Sequence, residues 1–115
     1  MEIRCREKDG VMILDLSGPL TIGDPTFSLR VQIRALSDMR MRNLVINMDR
    51  VTFIDSSGLD ELVSAYTTFT RQGGVIKLLH LNPEVHRLLV LTKLITVFKC
   101  YDQEDEAVRS FHADS

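Results

Sequence analysis

A carboxylate, two hydroxyls and a glycine stand together at Asp55-Ser56-Ser57-Gly58, between an apolar run ending at Ile54 and an amphipathic run beginning at Leu59. In an open parallel α/β sheet, binding sites collect beyond the carboxyl ends of strands, at turns of this kind. The amide N–H groups that open a helix are unpaired and carry the positive end of its dipole, so an anionic group is stabilised there. Gly58 would keep the backbone uncrowded around a hydroxyl. A simpler role fits the same residues. Ser57 and Asp60 have the Ser-x-x-Asp spacing of a capping box, which does no more than start a helix. Spacing alone favours the cap, and both readings stay open.

The other reactive side chains do not gather by spacing. His80, His86 and His112 form no HxxxH, HExxH or Cys-His pattern, so no metal site is expected. Gly73-Gly74 reads as a helix stop, because neither GxxxxGK[ST] nor GxGxxG occurs, and no cofactor is expected. The carboxylates Asp60-Glu61 and Glu104 to Glu106 fall in helix first turns, where acids are solvated or pair with the dipole rather than form an acid/base couple. A nucleophilic serine needs a base and normally a Gly-x-Ser-x-Gly elbow, whereas Asp55 stands two residues before Ser57. No enzyme is expected. Cys5 and Cys100 are far apart and read as small buried hydrophobes in a reducing compartment, not as a disulfide.

The elements that must position Ser57 follow from periodicity. Residues 2–8 alternate, Asp9-Gly10 is a hairpin signal, and the run Val11 to Leu16 follows as a second strand ended by Ser17-Gly18-Pro19. Asp24-Pro25 gives an N-cap and first-turn proline for a helix over about 25–38. That helix carries two apolar stripes, Phe27, Val31, Ala35 and Leu29, Ile33, Leu36. One must enter the core, and the other is covered by a neighbouring element or presented to a partner. Leu44 to Met48 reads as an interior strand that continues to Ile54. Leu59, Leu62, Val63, Tyr66 and Phe69 have helical spacing. Val75 to Leu81 is a further strand, Asn82-Pro83 caps a helix, Thr96 to Lys99 is a short edge strand, and a last helix starts at Asp102. Strands alternating with helices imply an α/β fold with a mostly parallel sheet after the leading hairpin.

Composition narrows the function. The chain has 115 residues, 44% hydrophobic and 26% charged, which suits one globular domain over 1–115, with fraying expected only in the last three or four residues. The net charge of −2 argues against nucleic acid as the direct partner, and the early Arg and Lys residues read as a solvated face. No apolar run could span a bilayer, and Met1-Glu2-Ile3-Arg4 does not read as a secretory signal. A cytoplasmic protein without membrane contact is expected.

Taken in order, Ser17-Gly18-Pro19-Leu20, the apolar strand 44–48, Val51 to Leu59 with its Asp-Ser-Ser-Gly-Leu, Gly73 to Leu78 and Asn82-Pro83-Glu84-Val85 resemble the STAS family, the anti-sigma factor antagonist domains. The resemblance implies a small α/β domain with a mixed four- or five-stranded sheet and about four helices mainly on one face. The family's phosphoacceptor is the second serine of this motif, which is Ser57 here. The resemblance further implies that Asp55, Ser56, Gly58 and Leu59 contact a partner. That partner is an anti-sigma factor with a histidine-kinase-like ATPase fold, which acts as a serine kinase, and a serine phosphatase resets the switch. Many members carry an acid directly after the second strand. Here Thr21 stands in that place and Asp24 three residues on, so both are implied partner contacts. Unphosphorylated antagonist would bind the anti-sigma factor and free the sigma factor. The alternative is a non-switching STAS scaffold in a stress-signalling or lipid-transport complex. The stripe Leu29, Ile33, Leu36 leaves a monomer or a weak homodimer open.

Overall fold

Asp9 and Gly10 take φ of 51° and 81°, the two positive values that a tight hairpin needs. They close strand β1 (Glu2–Lys8) onto β2 (Val11–Leu20), with Lys8 facing Val11. The chain continues through α1 (Asp24–Asp38), β3 (Asn43–Ile54), α2 (Ser56–Arg71), β4 (Val75–Leu79), α3 (Pro83–Leu91), a 3₁₀ turn at Leu94–Thr96, β5 (Lys99–Tyr101) and α4 (Glu104–Ala113). This computed structural model describes residues 1–113. The fraying expected of the last three or four residues cannot be followed to the end, since 114–115 lie outside the described residues.

The sheet order is β1-β2-β3-β4-β5, antiparallel between β1 and β2 and parallel elsewhere. Alternation along the strands separates two faces. Leu14, Leu16, Leu44, Ile46, Met48, Ile76 and Leu78 point to one face, where α1, α2 and α3 bury Leu29, Ile33, Leu62, Ala65, Phe69, Val85 and Leu89. Val11, Ile13, Val45 and Leu79 point to the other, under Ala107, Val108 and Phe111 of α4. Three helices therefore cover one face and α4 alone covers the opposite one.

Several boundaries differ from the sequence reading. Strand β2 does not stop at Ser17-Gly18-Pro19 but runs to Leu20, through irregular pairings with β3 on either side of Ser17 and Gly18. Pairing with β1 ends at Ser17, so the missing N–H of Pro19 costs no ladder bond. Asp24 is not the N-cap of α1. Gly23 holds that position at φ 103°, its carbonyl accepts from Phe27 N, and Asp24 is the first helical residue. The expected strand Thr96 to Lys99 is displaced to Lys99–Tyr101, because Val97 N and Phe98 N both donate to the carbonyl of Leu94 and keep that segment turning. Strand β4 ends at Leu79, where His80 with φ 57° turns the chain, and α4 begins at Glu104, two residues later than Asp102.

The two stripes of α1 sort in one direction. Leu29, Ile33 and Leu36 are core, so the stripe considered for a homodimer is not on the surface. Phe27, Val31 and Ala35 are exposed, and no neighbouring element among the described residues covers them. The early basic residues are not simply a solvated face either. The Arg6 guanidinium forks onto Asp15 (Nε–Oδ2 2.7 Å) and Glu104, and Lys8 pairs with Glu104 (3.3 Å) and Asp105 (2.6 Å), tying α4 to the hairpin. Cys5 lies exposed on the edge strand rather than buried, while Cys100 is half-buried, with its thiol pushed up to about 11 by burial and by nearby Asp102. Both thiols are free. No helix among the described residues is long and apolar enough to cross a membrane.

Candidate functional site

Ile54 ends β3, and the chain passes directly into α2 through Asp55. The N-cap is Asp55, not Ser57, and no capping box forms between Ser57 and Asp60. Its Oδ1 accepts from Gly58 N at 2.9 Å and its Oδ2 from Ile22 N at 3.0 Å. One carboxylate thus starts α2 and fastens the loop between β2 and α1 against it. Asp55 N also donates to the Leu20 carbonyl at 3.3 Å. The N–H groups of Ile22 and then Gly58 hold the Asp55 carboxyl below its ordinary value.

Gly58 has a different reason to be glycine from the one its spacing suggests. A Cβ built there would lie 2.2 Å from the Leu20 carbonyl oxygen and 2.7 Å from Ile54 Cγ1. The end of β2 passes so close to the first turn of α2 that no side chain fits between them. Gly58 is buried, so its contribution is to let these elements approach, and Leu59 beside it is half-buried.

With Asp55 as cap, Ser57 occupies the first turn of α2 without serving the backbone. No hydrogen bond among the described residues uses its hydroxyl. It lines an open groove of about 820 Å³ between α1 and α2, with Ile22, Thr26, Arg30, Arg34, Asp60 and Glu61 among the walls. Ser56 is exposed and faces a second groove of about 470 Å³, lined chiefly by Phe53, Ile54, Leu59, Val85 and Leu88 between α2 and α3. The adjacent hydroxyls therefore open to different sides. Asn82 holds the second groove in shape: its Oδ1 caps α3 through Val85 N at 2.8 Å, and its Nδ2 donates to the Val51 carbonyl at 2.8 Å.

Asp55, Ser56, Ser57, Gly58 and Leu59 form one turn, and Asp55 brings the segment containing Thr21 beside it through Ile22. Thr21 is half-buried and its carbonyl accepts from Thr26 N at 3.3 Å. Asp24 is exposed at the start of α1 and lines neither groove. Large apolar side chains of the two grooves lie on the surface, Ile22 and Phe53 being 75% and 54% exposed, and Phe27 in the first turns of α1 is 60% exposed.

Glu61 is the residue that the sequence reading missed. It is not a solvated first-turn acid but 95% buried, with Oε1 accepting from Arg30 Nε at 3.0 Å and Nη2 at 2.8 Å. The signal was available, since positions 58, 61, 62, 65 and 69 share the inward stripe of α2. No group of three or more His, Cys, Asp or Glu among the described residues could hold a metal ion.

The STAS domain family model matches residues 2–107. The chain belongs to the STAS domain family. Over 109 residues this STAS domain is 30% identical to an anti-sigma F factor antagonist of Paenibacillus polymyxa, covering 94% of this chain and 92% of the relative. It superposes with a TM-score of 0.81 on the crystal structure of an anti-sigma factor antagonist from Mycobacterium paratuberculosis, at 27% identity over 95% of this chain and 92% of that one. The Bacillus cell fate determinant SpoIIAA, solved in its phosphorylated form, has the same fold at 18% identity, with a TM-score of 0.76 over 96% of this chain and 99% of that one.

Proposed function

We propose that residues 1–115 act as one anti-sigma factor antagonist domain in the cytoplasm, switched by phosphorylation of Ser57. In its unmodified form the turn Asp55-Ser56-Ser57-Gly58-Leu59, with Thr21 and Asp24 on the adjoining segment, docks an anti-sigma factor of histidine-kinase-like ATPase fold. That partner is also the serine kinase, and docking frees the sigma factor. A serine phosphatase restores the unmodified state. The domain itself catalyses nothing and works as a monomer or a weak homodimer.

One observation carries this reading: Asp55 does the capping, which leaves the Ser57 hydroxyl in an open groove at the positive end of α2. A phosphate there adds about −1.5 to −2 charge. The helix N-terminus tolerates that charge, so the fold survives modification. A protein pressed against Ile22 and Phe53 must instead desolvate the phosphate or meet it with like charge, and Asp55 and Asp60 beside it moderate the benefit of the helix terminus. Losing about 2–4 kcal/mol in this way weakens binding roughly 30- to 1000-fold, enough for an on/off switch.

The test is incubation with ATP and the candidate anti-sigma kinase, followed by intact-mass measurement and a binding titration. One added phosphate, abolished by Ser57→Ala and accompanied by loss of partner binding, is the expected result. Equal partner affinity for Ser57→Asp and the wild-type chain would sink the occlusion mechanism and favour a scaffold that does not switch.

A further inference from the structure

We propose that Arg30, held in place by buried Glu61, forms a built-in receptor for the phosphate on Ser57. The inference rests on the reading of Ser57 as phosphoacceptor and adds the group that receives the modification. Ser57 and Glu61 are four residues apart on α2, so they stack on one face with Cβ atoms about 5–6 Å apart. Both line the α1–α2 groove, and so does Arg30. Helices α1 and α2 run side by side, with Ile22 and Thr26 at the Ser57 end, Arg30 opposite Glu61, and Ser37 meeting Gln72 at the far end. Arg30 therefore lies one helical turn from the Ser57 hydroxyl, and Arg34 one turn further away.

The donors of Arg30 divide in a way that suits this role. Nε and Nη2 both bind Glu61 Oε1, which leaves Nη1 without a partner among the described residues. The Arg30 side chain is 58% exposed, so the outer edge of its guanidinium faces the groove and solvent, while Glu61 is 5% exposed. A planar fork anchored on one side by a buried carboxylate has already lost much of its rotamer freedom. A phosphate dianion can then bridge to Nη1 while the contact to Glu61 stays intact, giving a short charge-assisted hydrogen bond at little further entropic cost. The acids facing the same space, Asp60 on α2 and Asp38 at the end of α1, would otherwise repel the phosphate, as would Asp55, which caps α2 two residues before Ser57. Arg30 offsets them and sets the direction in which the phosphate projects.

Phosphoserine installed at position 57 during translation, by an expanded genetic code, tests this without any kinase. The ³¹P NMR titration of that protein reads the second ionisation of the phosphate, ordinarily near pH 6. The wild-type background should bind the titrating proton about three- to tenfold more weakly than Arg30→Gln. Arg34→Gln, which removes the same charge one turn further off, should move the midpoint much less. Arg30→Lys keeps the charge without the fork and should fall between. The paired exchange Arg30→Met with Glu61→Leu, compared with Glu61→Leu alone, removes only the Arg30 charge and leaves no buried carboxylate unpaired, so it should have the higher midpoint even if Arg30→Gln alone folds poorly. A midpoint that Arg30→Gln moves no further than Arg34→Gln, or that is the same in the paired exchange as in Glu61→Leu alone, overturns the proposal. If the kinase never modifies Ser57 while the titration behaves as stated, the switch fails and the receptor stands; the reverse outcome separates them equally well.

Discussion

Replacing Gly58 by alanine should weaken the fold although it improves helix propensity. In an exposed helix the exchange is favourable by up to about 1 kcal/mol. Here the new methyl would sit 2.2 Å from the Leu20 carbonyl oxygen, 2.7 Å from Ile54 Cγ1 and 3.1 Å from Leu20 Cγ. Real contacts of this kind stay beyond about 3 Å, so the end of β2 and the start of α2 must separate by nearly 1 Å. Leu20 and Ile54 are both buried, and the nearest atom belongs to the backbone, so rotating a side chain brings no relief. Overpacking of a tight core costs about 1–3 kcal/mol, and this contact belongs at the upper end of that range. Subtracting the helix gain leaves a net loss of about 2 kcal/mol. For a chain of this length that lowers Tm by about 8 °C. Calorimetric melts of Gly58→Ala and wild-type protein measure it directly, with Ser57→Ala as a neighbouring control that should melt within a degree or two of wild type. A Gly58→Ala variant as stable as wild type would refute the claim that close approach of β2, rather than freedom around a hydroxyl, requires glycine.

The remaining predictions concern the cap and the first helix. Asp55 is held below its ordinary value by the N–H groups of Ile22 and Gly58, so its contribution is present above the unfolded-state pKa of about 3.9 and is lost as pH falls through the lower folded value. Asp55→Asn keeps a capping side chain without the charge. Melts between pH 7 and pH 2.5 should show wild type ahead at neutral pH and the gap closing below about pH 4; a gap that widens in acid would contradict the assignment. On α1, Leu29→Ala should cost about 2–5 kcal/mol in a urea melt, because Leu29 is fully buried. Phe27→Ala should stay within about 0.5 kcal/mol, because that ring is on the surface. Equal losses would mean that the two stripes have been assigned to the wrong sides.

Much of the molecule was legible from local signals. The hairpin at Asp9-Gly10, the cap at Asn82 with Pro83 after it, and the stop at Gly73-Gly74 each depend on the preferences of one or two residues, which operate wherever the segment lies. The long strand into Asp55 and the helix after it followed from a period that switches from continuous apolar to 3.6, so the position of the serine turn was readable too. The STAS resemblance rested on that same ordered set, and the family match over residues 2–107 agrees with it.

Other features depend on what lies across the fold. Whether Ser57 or Asp55 caps α2 turns on Ile22 N, 33 residues away, which takes the second oxygen of Asp55 and fixes that carboxylate at the helix start. Which stripe of α1 enters the core depends on how the helix is rotated over the sheet, and both stripes are apolar enough to qualify by composition. Glu61 looks like any first-turn acid until Arg30 of another helix is brought alongside it. Residue types and spacing settled where the strands, helices and serine turn fall, because those choices are governed by neighbours in the chain. Burial, pairing and the clearance around Gly58 were decided only when β2, α1 and α2 came together, because packing and desolvation act between residues that sequence distance does not relate.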